Sequence, residues 1–279
     1  MDEEDAAERP AYLGFVDVLD ILHGLLATMP AGIGHDEPTW RKLLEQAAPP
    51  FLARRLVMLP SHNDGALVFS AHSGVSVLDL IRDGFLGGGD GKSPSPVTHR
   101  VAVFDSAGQV THIVSQSDVI SFLAATPHAL EAFGDATLEQ LRMGHARGSG
   151  VAQVARTLPT VEALLFMQAQ GVSSVAVVDD AAAGALCGNL SGSDLRGIAG
   201  GDMHELAQPV EAFLVNRKRA PSELVTATPE SALRTVVHRM AACRVHRVYV
   251  VEPQTRRPVG IVTCTDVLRA IVALDSAAA

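Results

Sequence analysis

Short apolar runs recur along the chain in pairs. A polar turn separates the two runs of a pair, and the second ends in hydroxyl residues and an aspartate. VHRVYVV (245–251) leads to GIVTCTDVLRAIV (260–272), and THRVAVF (98–104) leads to HIVSQSDVISFL (112–123). VSSVAVV (172–178) leads to GNLSGSDLRGI (188–198), and a closing half alone, GFVDVLDILHGLL (14–26), stands near the start. Val-rich runs bounded by turn residues predict strands, and apolar spacing at i, i+3, i+4 over 161–170 and 231–242 predicts an amphipathic helix ahead of them. From His99 to Asp118 is 19 residues, from Ser173 to Asp194 is 21, and from His246 to Asp266 is 20. The last three aspartates lie 76 and 72 residues apart, whereas Asp20 to Asp118 is 98, the excess falling in longer connections that include the Gly/Pro-rich stretch 84–96. Self-similarity of this kind is the signature of a repeat architecture. Each complete unit reads helix, strand, polar turn (179–184 or 252–258), strand, a [Ser/Thr]-x-[Ser/Thr]-Asp step, then a second helix. The expected fold class is α/β.

Composition narrows the picture. The chain has 279 residues, 47% of them hydrophobic but only 4% aromatic, so its core is expected to be Ala/Val/Leu packing. A net charge of −9 excludes a broad basic surface for nucleic acid. No apolar run approaches the roughly 18 residues of a membrane helix, and the acidic start MDEEDAAERP lacks the basic head and apolar centre of a signal peptide. Cys187, Cys243 and Cys264 are far apart and odd in number, which offers no disulfide framework or paired metal site and suits a reducing compartment.

The candidate chemistry sits at the repeat positions. Ser115, Ser117 and Asp118, then Ser191, Ser193 and Asp194, then Thr263, Thr265 and Asp266 each place two hydroxyls and a carboxylate where a strand meets a helix N-terminus. Exposed N–H groups and the helix dipole there favour a phosphate or another polar ligand. An ionised aspartate accepts hydrogen bonds only, as a ribose diol requires. His99-Arg100 and His246-Arg247 open strands and supply charge-assisted donors to phosphate, with arginine able to engage two oxygens. The plain alternative is that these residues are helix caps, each contributing about 1 kcal/mol with no ligand at all, and that the His-Arg pairs are solvated strand edges. Thr157 is either a ligand-side hydroxyl or the cap of the helix that follows it.

Several motifs do not carry chemistry. GGGDGKS (87–93) has Leu86 where a phosphate loop needs its first glycine, and Pro94 and Pro96 forbid the helix that should follow. His204-Glu205 lacks a second histidine four residues on, neither Ser191 nor Ser193 lies in a GxSxG elbow, and Cys264 reads as a small buried filler. The basic triplet 217–219 reads as a solvated loop, with partner docking as the alternative. No catalytic machinery is evident, and the chain is not expected to be an enzyme.

The repeat grammar resembles the cystathionine-β-synthase (CBS) motif. Four such motifs, with His-Arg before the second and fourth core strands and the connector TLEQLRMG (137–144), resemble the gamma subunits of AMP-activated protein kinases; GNLSGSDLRGI is closer to plant and algal gamma-like proteins. The resemblance implies CBS motifs paired into two modules, 1–135 and 136–279, stacked as a compact disc. Motif two would lie at about 66–126, motif three at about 151–200 and motif four at about 222–275, with motif one incomplete because only twelve residues precede Leu13. It further implies a ligand among AMP, ADP and ATP in clefts between paired motifs, held by the residues above and by Thr157, in a regulatory subunit sensing energy state. Kinase catalytic and beta-type scaffold subunits would be its partners, in the cytoplasm or nucleus, with no nucleic acid and no membrane. The alternatives are a stand-alone CBS protein binding an adenosyl ligand to regulate another enzyme, and a scaffold that binds nothing. The first module is expected to bind poorly, because Asp17 and Leu19 replace the hydroxyl pattern ahead of Asp20.

Overall fold

The computed structural model describes residues 18–29, 36–53, 75–88, 97–105, 107–131, 133–145, 150–179, 184–198, 200–217 and 224–278. By contacts the chain gathers into two units, one of residues 1–16 and 61–114, the other of residues 17–60 and 115–279.

In the smaller unit, Ser76 caps a short helix α3 (Val77–Asp79), accepting from the Asp79 N–H at 3.1 Å, and the chain continues as a π-helical turn, Leu80–Phe85. Ile81 and Phe85 are buried. Strand β1 (Arg100–Phe104) pairs with β2 (Val110–Ser115), joined by a turn in which Asp105 accepts from the N–H groups of Ala107 and Gln109. An aspartate that takes over two backbone donors in this way is the reason the hairpin turns here. Glycine-rich residues 89–96 and the start of motif two lie outside the described residues.

In the larger unit, repeats three and four build the same three strands in the same order. β3 (Gln153–Ala155) runs parallel to β4 (Ser174–Val178), which pairs antiparallel with β5 (Leu186–Ser191). β6 (Thr226–Ala227), β7 (Arg247–Val251) and β8 (Pro258–Thr263) repeat that arrangement. The registers match position for position: Gln153 faces Ala176 as Thr226 faces Tyr249, and Ser174 faces Ser191 as Arg247 faces Thr263. A register shift falls at the same place in both sheets, after Val177 and after Val250. The crossover helices are α5 (Thr160–Gln170) and α7 (Leu233–Cys243). Each ends on a left-handed residue, Gly171 at φ 62° and Arg244 at φ 52°, which turns the chain back into the core strand.

The closing helices differ. α4 (Gln116–Ala125) and α8 (Cys264–Ala278) extend as the sequence pattern predicts. In repeat three the helix predicted after Asp194 is a single 3-10 turn, Gly192–Leu195. Gly197 has φ 79°, outside the helical region, and Gly200 and Gly201 follow, each weakening a helix by about 1 kcal/mol relative to alanine. The chain resumes as a 3-10 segment, Gly200–Ala207, then α6 (Val210–Arg217). The shortened helix leaves a cavity of about 180 Å³ against α1 (Val18–Leu26), lined by Leu22, Leu25, Leu195, Ile198 and Met203 among others.

The main core gathers the elements of repeat three and α6 with α1 and with α2 (Glu37–Leu52), a helix that the repeat pattern does not contain. Its signal is local: Asp36 caps it, Pro38 lies in its first turn, and Trp40, Leu44, Ala47, Ala48 and Phe51 form its buried stripe. Trp40 donates to Glu162 Oε1 at 2.9 Å, which joins α2 to α5. The connector before repeat three pairs with repeat four: Leu138 N–H donates to Ser231 O and Glu139 N–H to Pro229 O, both at 3.0 Å, and Leu138 is fully buried.

Candidate functional site

All three complete [Ser/Thr]-x-[Ser/Thr]-Asp steps fold into one geometry. The strand-end residue donates to Oδ2 of the aspartate through both its N–H and its hydroxyl. The distances are 2.8 and 2.7 Å for Ser115 to Asp118, 2.8 and 2.9 Å for Ser191 to Asp194, and 2.9 and 2.6 Å for Thr263 to Asp266. The three are capping boxes with aspartate in the glutamate's place. One oxygen of each carboxylate is therefore committed to holding the helix start. In Asp266 the other oxygen, Oδ1, lies 4.0 Å from Arg269 Nη1.

The third position of the step is used unequally. Thr265 is buried and its hydroxyl donates to Gln116 Oε1 at 3.0 Å, while the Ser117 hydroxyl hydrogen-bonds the Cys264 thiol. Position three of repeat four thus meets position two of repeat two, and the reverse, in a reciprocal exchange between the two helix starts. Ser193 is exposed and its hydroxyl makes no hydrogen bond among the described residues, although its carbonyl accepts from the Arg196 N–H at 3.2 Å. Burial pushes the Cys264 thiol up to about 11, partly opposed by Arg247 and Ser117. A thiol held protonated this far above neutral pH is a poor nucleophile. Alkylation at pH 8 is expected to label the exposed Cys243 at the end of α7 promptly and Cys264 only on unfolding; equal rates in the folded protein would contradict this burial.

Arg247 opens β7 and reaches out of its own repeat. Its guanidinium donates to the hydroxyls of Ser174 and, at 3.0 Å, Ser173, the residues that open β4 in repeat three. Two positions further along the same face, Tyr249 is buried over Ala176 and its hydroxyl donates to Asn189 Oδ1 at 2.8 Å. Burial lowers the Arg247 pKa from its ordinary value, while Tyr249, Cys264 and the Asp194 carboxylate pull it back. Burial likewise raises Tyr249, opposed by Arg247. Among the described residues Arg247 makes no ion pair, so a half-buried cation is held by neutral hydroxyls. Such a charge is costly unless an anion meets it.

The other sequence candidates are placed as follows. His99 and Arg100 are exposed at the start of β1, and His246 is exposed beside Arg247. Thr157 is exposed in the turn between β3 and α5 and does not cap that helix, whose N-cap position is taken by Pro159; the start of α5 is instead fixed by Thr160, donating to Gln208 O at 2.9 Å. Arg217 is half-buried, 3.6 Å from Glu205 and donating to Arg196 O at 3.0 Å, rather than loosely solvated; Lys218 and Arg219 lie outside the described residues. Asp20 is buried in α1, and Asp17 lies outside the described residues. Asn189, Tyr249, Gln116 and the Ser173–Ser174 pair were not singled out by sequence. Strand alternation offers a signal for two of them, since Tyr249 follows Arg247 and Asn189 precedes Ser191 by two residues.

Residues 220–273 match the CBS domain family. The chain is homologous to protein SDS23 of Podospora anserina, 28% identical over 172 residues that cover 57% of this chain and 33% of that protein. It is also homologous to human 5'-AMP-activated protein kinase subunit gamma-3, 29% identical over 178 residues that cover 62% of this chain and 35% of that one. The aligned region therefore spans about a third of the length of these relatives. A Methanocaldococcus jannaschii protein described as an archaeal homologue of AMPK gamma superposes over 95% of this chain and 85% of its own, with a TM-score of 0.62 at 15% identity. The fold is the α/β architecture of tandem CBS motifs.

Proposed function

We propose that the chain is an adenine-nucleotide-binding regulatory subunit of the gamma type, acting on a protein kinase through ligand-dependent changes in its CBS clefts. The observation that carries this reading is Arg247: a half-buried guanidinium with hydroxyl partners and, among the described residues, no carboxylate in ion-pair contact, beside the strand-to-helix step of Ser191, Ser193 and Asp194. A phosphate would supply the missing anion, and the Asp194 carboxylate, an acceptor only, suits a ribose diol. Homology to gamma-3 supports the kinase partner, together with a beta-type scaffold, in the cytoplasm or nucleus. The repeats would pair as 1–135 and 136–279. Regulation would follow from linkage: a nucleotide that binds one partner state better shifts the equilibrium by that difference.

A second reading is a stand-alone CBS regulator of another enzyme, favoured by the match to protein SDS23, a name that specifies no kinase. Titration calorimetry with AMP, ADP, ATP, adenosine and S-adenosylmethionine is expected to give binding of at least one phosphorylated ligand, without turnover. No heat with any of the five overturns nucleotide binding. Co-purification with a kinase catalytic subunit separates the two readings.

A further inference from the structure

The three complete repeats can be compared position by position past the aspartate of each step. Two residues after Asp118 and Asp266 stand Ile120 and Leu268, both buried in their closing helices. Two residues after Asp194 stands Arg196, which is exposed. Repeat three therefore lacks both the long closing helix and the aliphatic side chain that the other two bury at this point. Here the chain borders the cavity of about 180 Å³ against α1.

Its wall is apolar: Leu22 and Leu25 come from α1, Phe51 from α2, and Met203 and Leu206 from the segment that follows the turn. Among the described residues Arg196 is the only charged side chain that lines it. The backbone of Arg196 is bonded, its N–H to Ser193 O at 3.2 Å and its carbonyl to Arg217 Nη2 at 3.0 Å. Its guanidinium makes no hydrogen bond or ion pair among the described residues. Arg196 and Ile21 are both exposed, so the cavity reaches solvent on their side. Water finds no partner on such walls, whereas an apolar cavity of about 150 Å³ accepts a ring the size of benzene. Apolar walls with one placed polar group are the usual make-up of a small-molecule site. We propose that this cavity binds a medium-chain monocarboxylate of about six to eight carbons, with its tail among Leu22, Leu25, Phe51 and Leu206 and its carboxylate on Arg196.

The chemistry of the rim selects the head group. A guanidinium meets a carboxylate through two parallel hydrogen bonds, a geometry that an alcohol or an amine does not supply. The tail stands where the other repeats place their own aliphatic side chains, so the ligand fills a space that repeat three leaves open, between α1 and the turn Gly192–Leu195. None of Ser191, Ser193, Asp194 and Arg247 lines the cavity, and the proposal stands apart from the nucleotide reading.

The test is titration calorimetry of the full chain with octanoate and with 1-octanol, which share a tail and differ in charge. The wild type is expected to bind both, octanoate the more tightly. Arg196→Gln is expected to weaken octanoate about fivefold, as fits an ion pair at an exposed rim, and to leave 1-octanol within about twofold. Ile198, half-buried, also lines the cavity, and Ile198→Trp sets an indole in the same space. That variant is expected to lose both ligands. Because the Arg196 side chain has no partner among the described residues, Arg196→Gln leaves the fold intact and keeps the test decisive should Ile198→Trp fail to fold. Absence of octanoate or 1-octanol binding by the wild type overturns the proposal. So do equal losses of the two ligands in Arg196→Gln, or retention of octanoate by folded Ile198→Trp, which would place the ligand elsewhere on the surface.

Discussion

Arg247→Ala is expected to weaken AMP binding roughly 10- to 150-fold while changing adenosine binding far less. The range corresponds to about 1.5–3 kcal/mol for a hydrogen bond to a charged group. Adenosine offers the same base and ribose but no phosphate, so it reports whether the cleft itself survives the substitution. The arginine also bridges to Ser173 and Ser174, and its loss removes two contacts between the repeats. Ser174 is buried, so removing the guanidinium also leaves a hydroxyl without its partner and is expected to cost about 1–3 kcal/mol of folding stability, a loss that adenosine binding and a melting curve report separately from the phosphate effect. Arg247→Lys should fall between wild type and Arg247→Ala, because an ammonium keeps the charge and loses the planar fork. Calorimetry with the two ligands on the three proteins decides the matter. Equal losses of AMP and adenosine would remove Arg247 from the phosphate site.

Gly260→Ala is expected to cost about 3 kcal/mol or more of stability. A Cβ on Gly260 would overlap the carbonyl oxygen of Gly144, in the connector that passes over the second sheet. Both groups belong to the backbone, so no side-chain rotation relieves the overlap and a strand or the connector must move. Gly144 is itself fixed, at φ 71°, with Val250 Cγ2 2.6 Å from where its own Cβ would lie. Overpacking of a tight core costs about 1–3 kcal/mol and sometimes more. At about 2–4 °C per kcal/mol for a domain of this size, the melting midpoint should fall by about 6–12 °C. Gly201→Ala, with nothing within 4 Å of the added Cβ, is the control and should melt with the wild type. An unchanged midpoint for Gly260→Ala would mean that the connector does not press on the sheet as described.

Much of the fold was legible because the repeats spell it out. Valine-rich strands, apolar helical stripes and the three hydroxyl-aspartate steps each recur at matching spacing, and every step built the predicted strand-to-helix junction. The helix α2 was passed over because it interrupts the repeat, although Asp36, Pro38 and the Trp40–Leu44 spacing marked it locally. The long closing helix predicted for repeat three is cut off after one turn, because Arg196 is extended (ψ 129°) and Gly197 after it takes a positive φ of 79°. The cap reading of Thr157 failed because Thr160 and Pro159, nearer the helix, set its start.

The sequence by itself determined what each repeat becomes, because strand alternation, helix caps and turn residues act over a few neighbouring positions and need no partner. It determined too that hydroxyl and carboxylate groups would collect at the strand-to-helix steps. Only the tertiary structure decided which of those groups stay open. Gly188 and Gly260 occupy the same place in the repeat, yet a Cβ at Gly188 meets Val177 at 3.2 Å whereas one at Gly260 meets the backbone of a connector more than a hundred residues away. Ser193 and Thr265 are likewise equivalent by spacing, and Thr265 alone is taken up, by Gln116 from a repeat 149 residues earlier. Hydrogen-bond donors are consumed by whatever lies within about 3 Å, and that neighbour is set by how repeats pack on one another, which the local code of a single repeat does not contain.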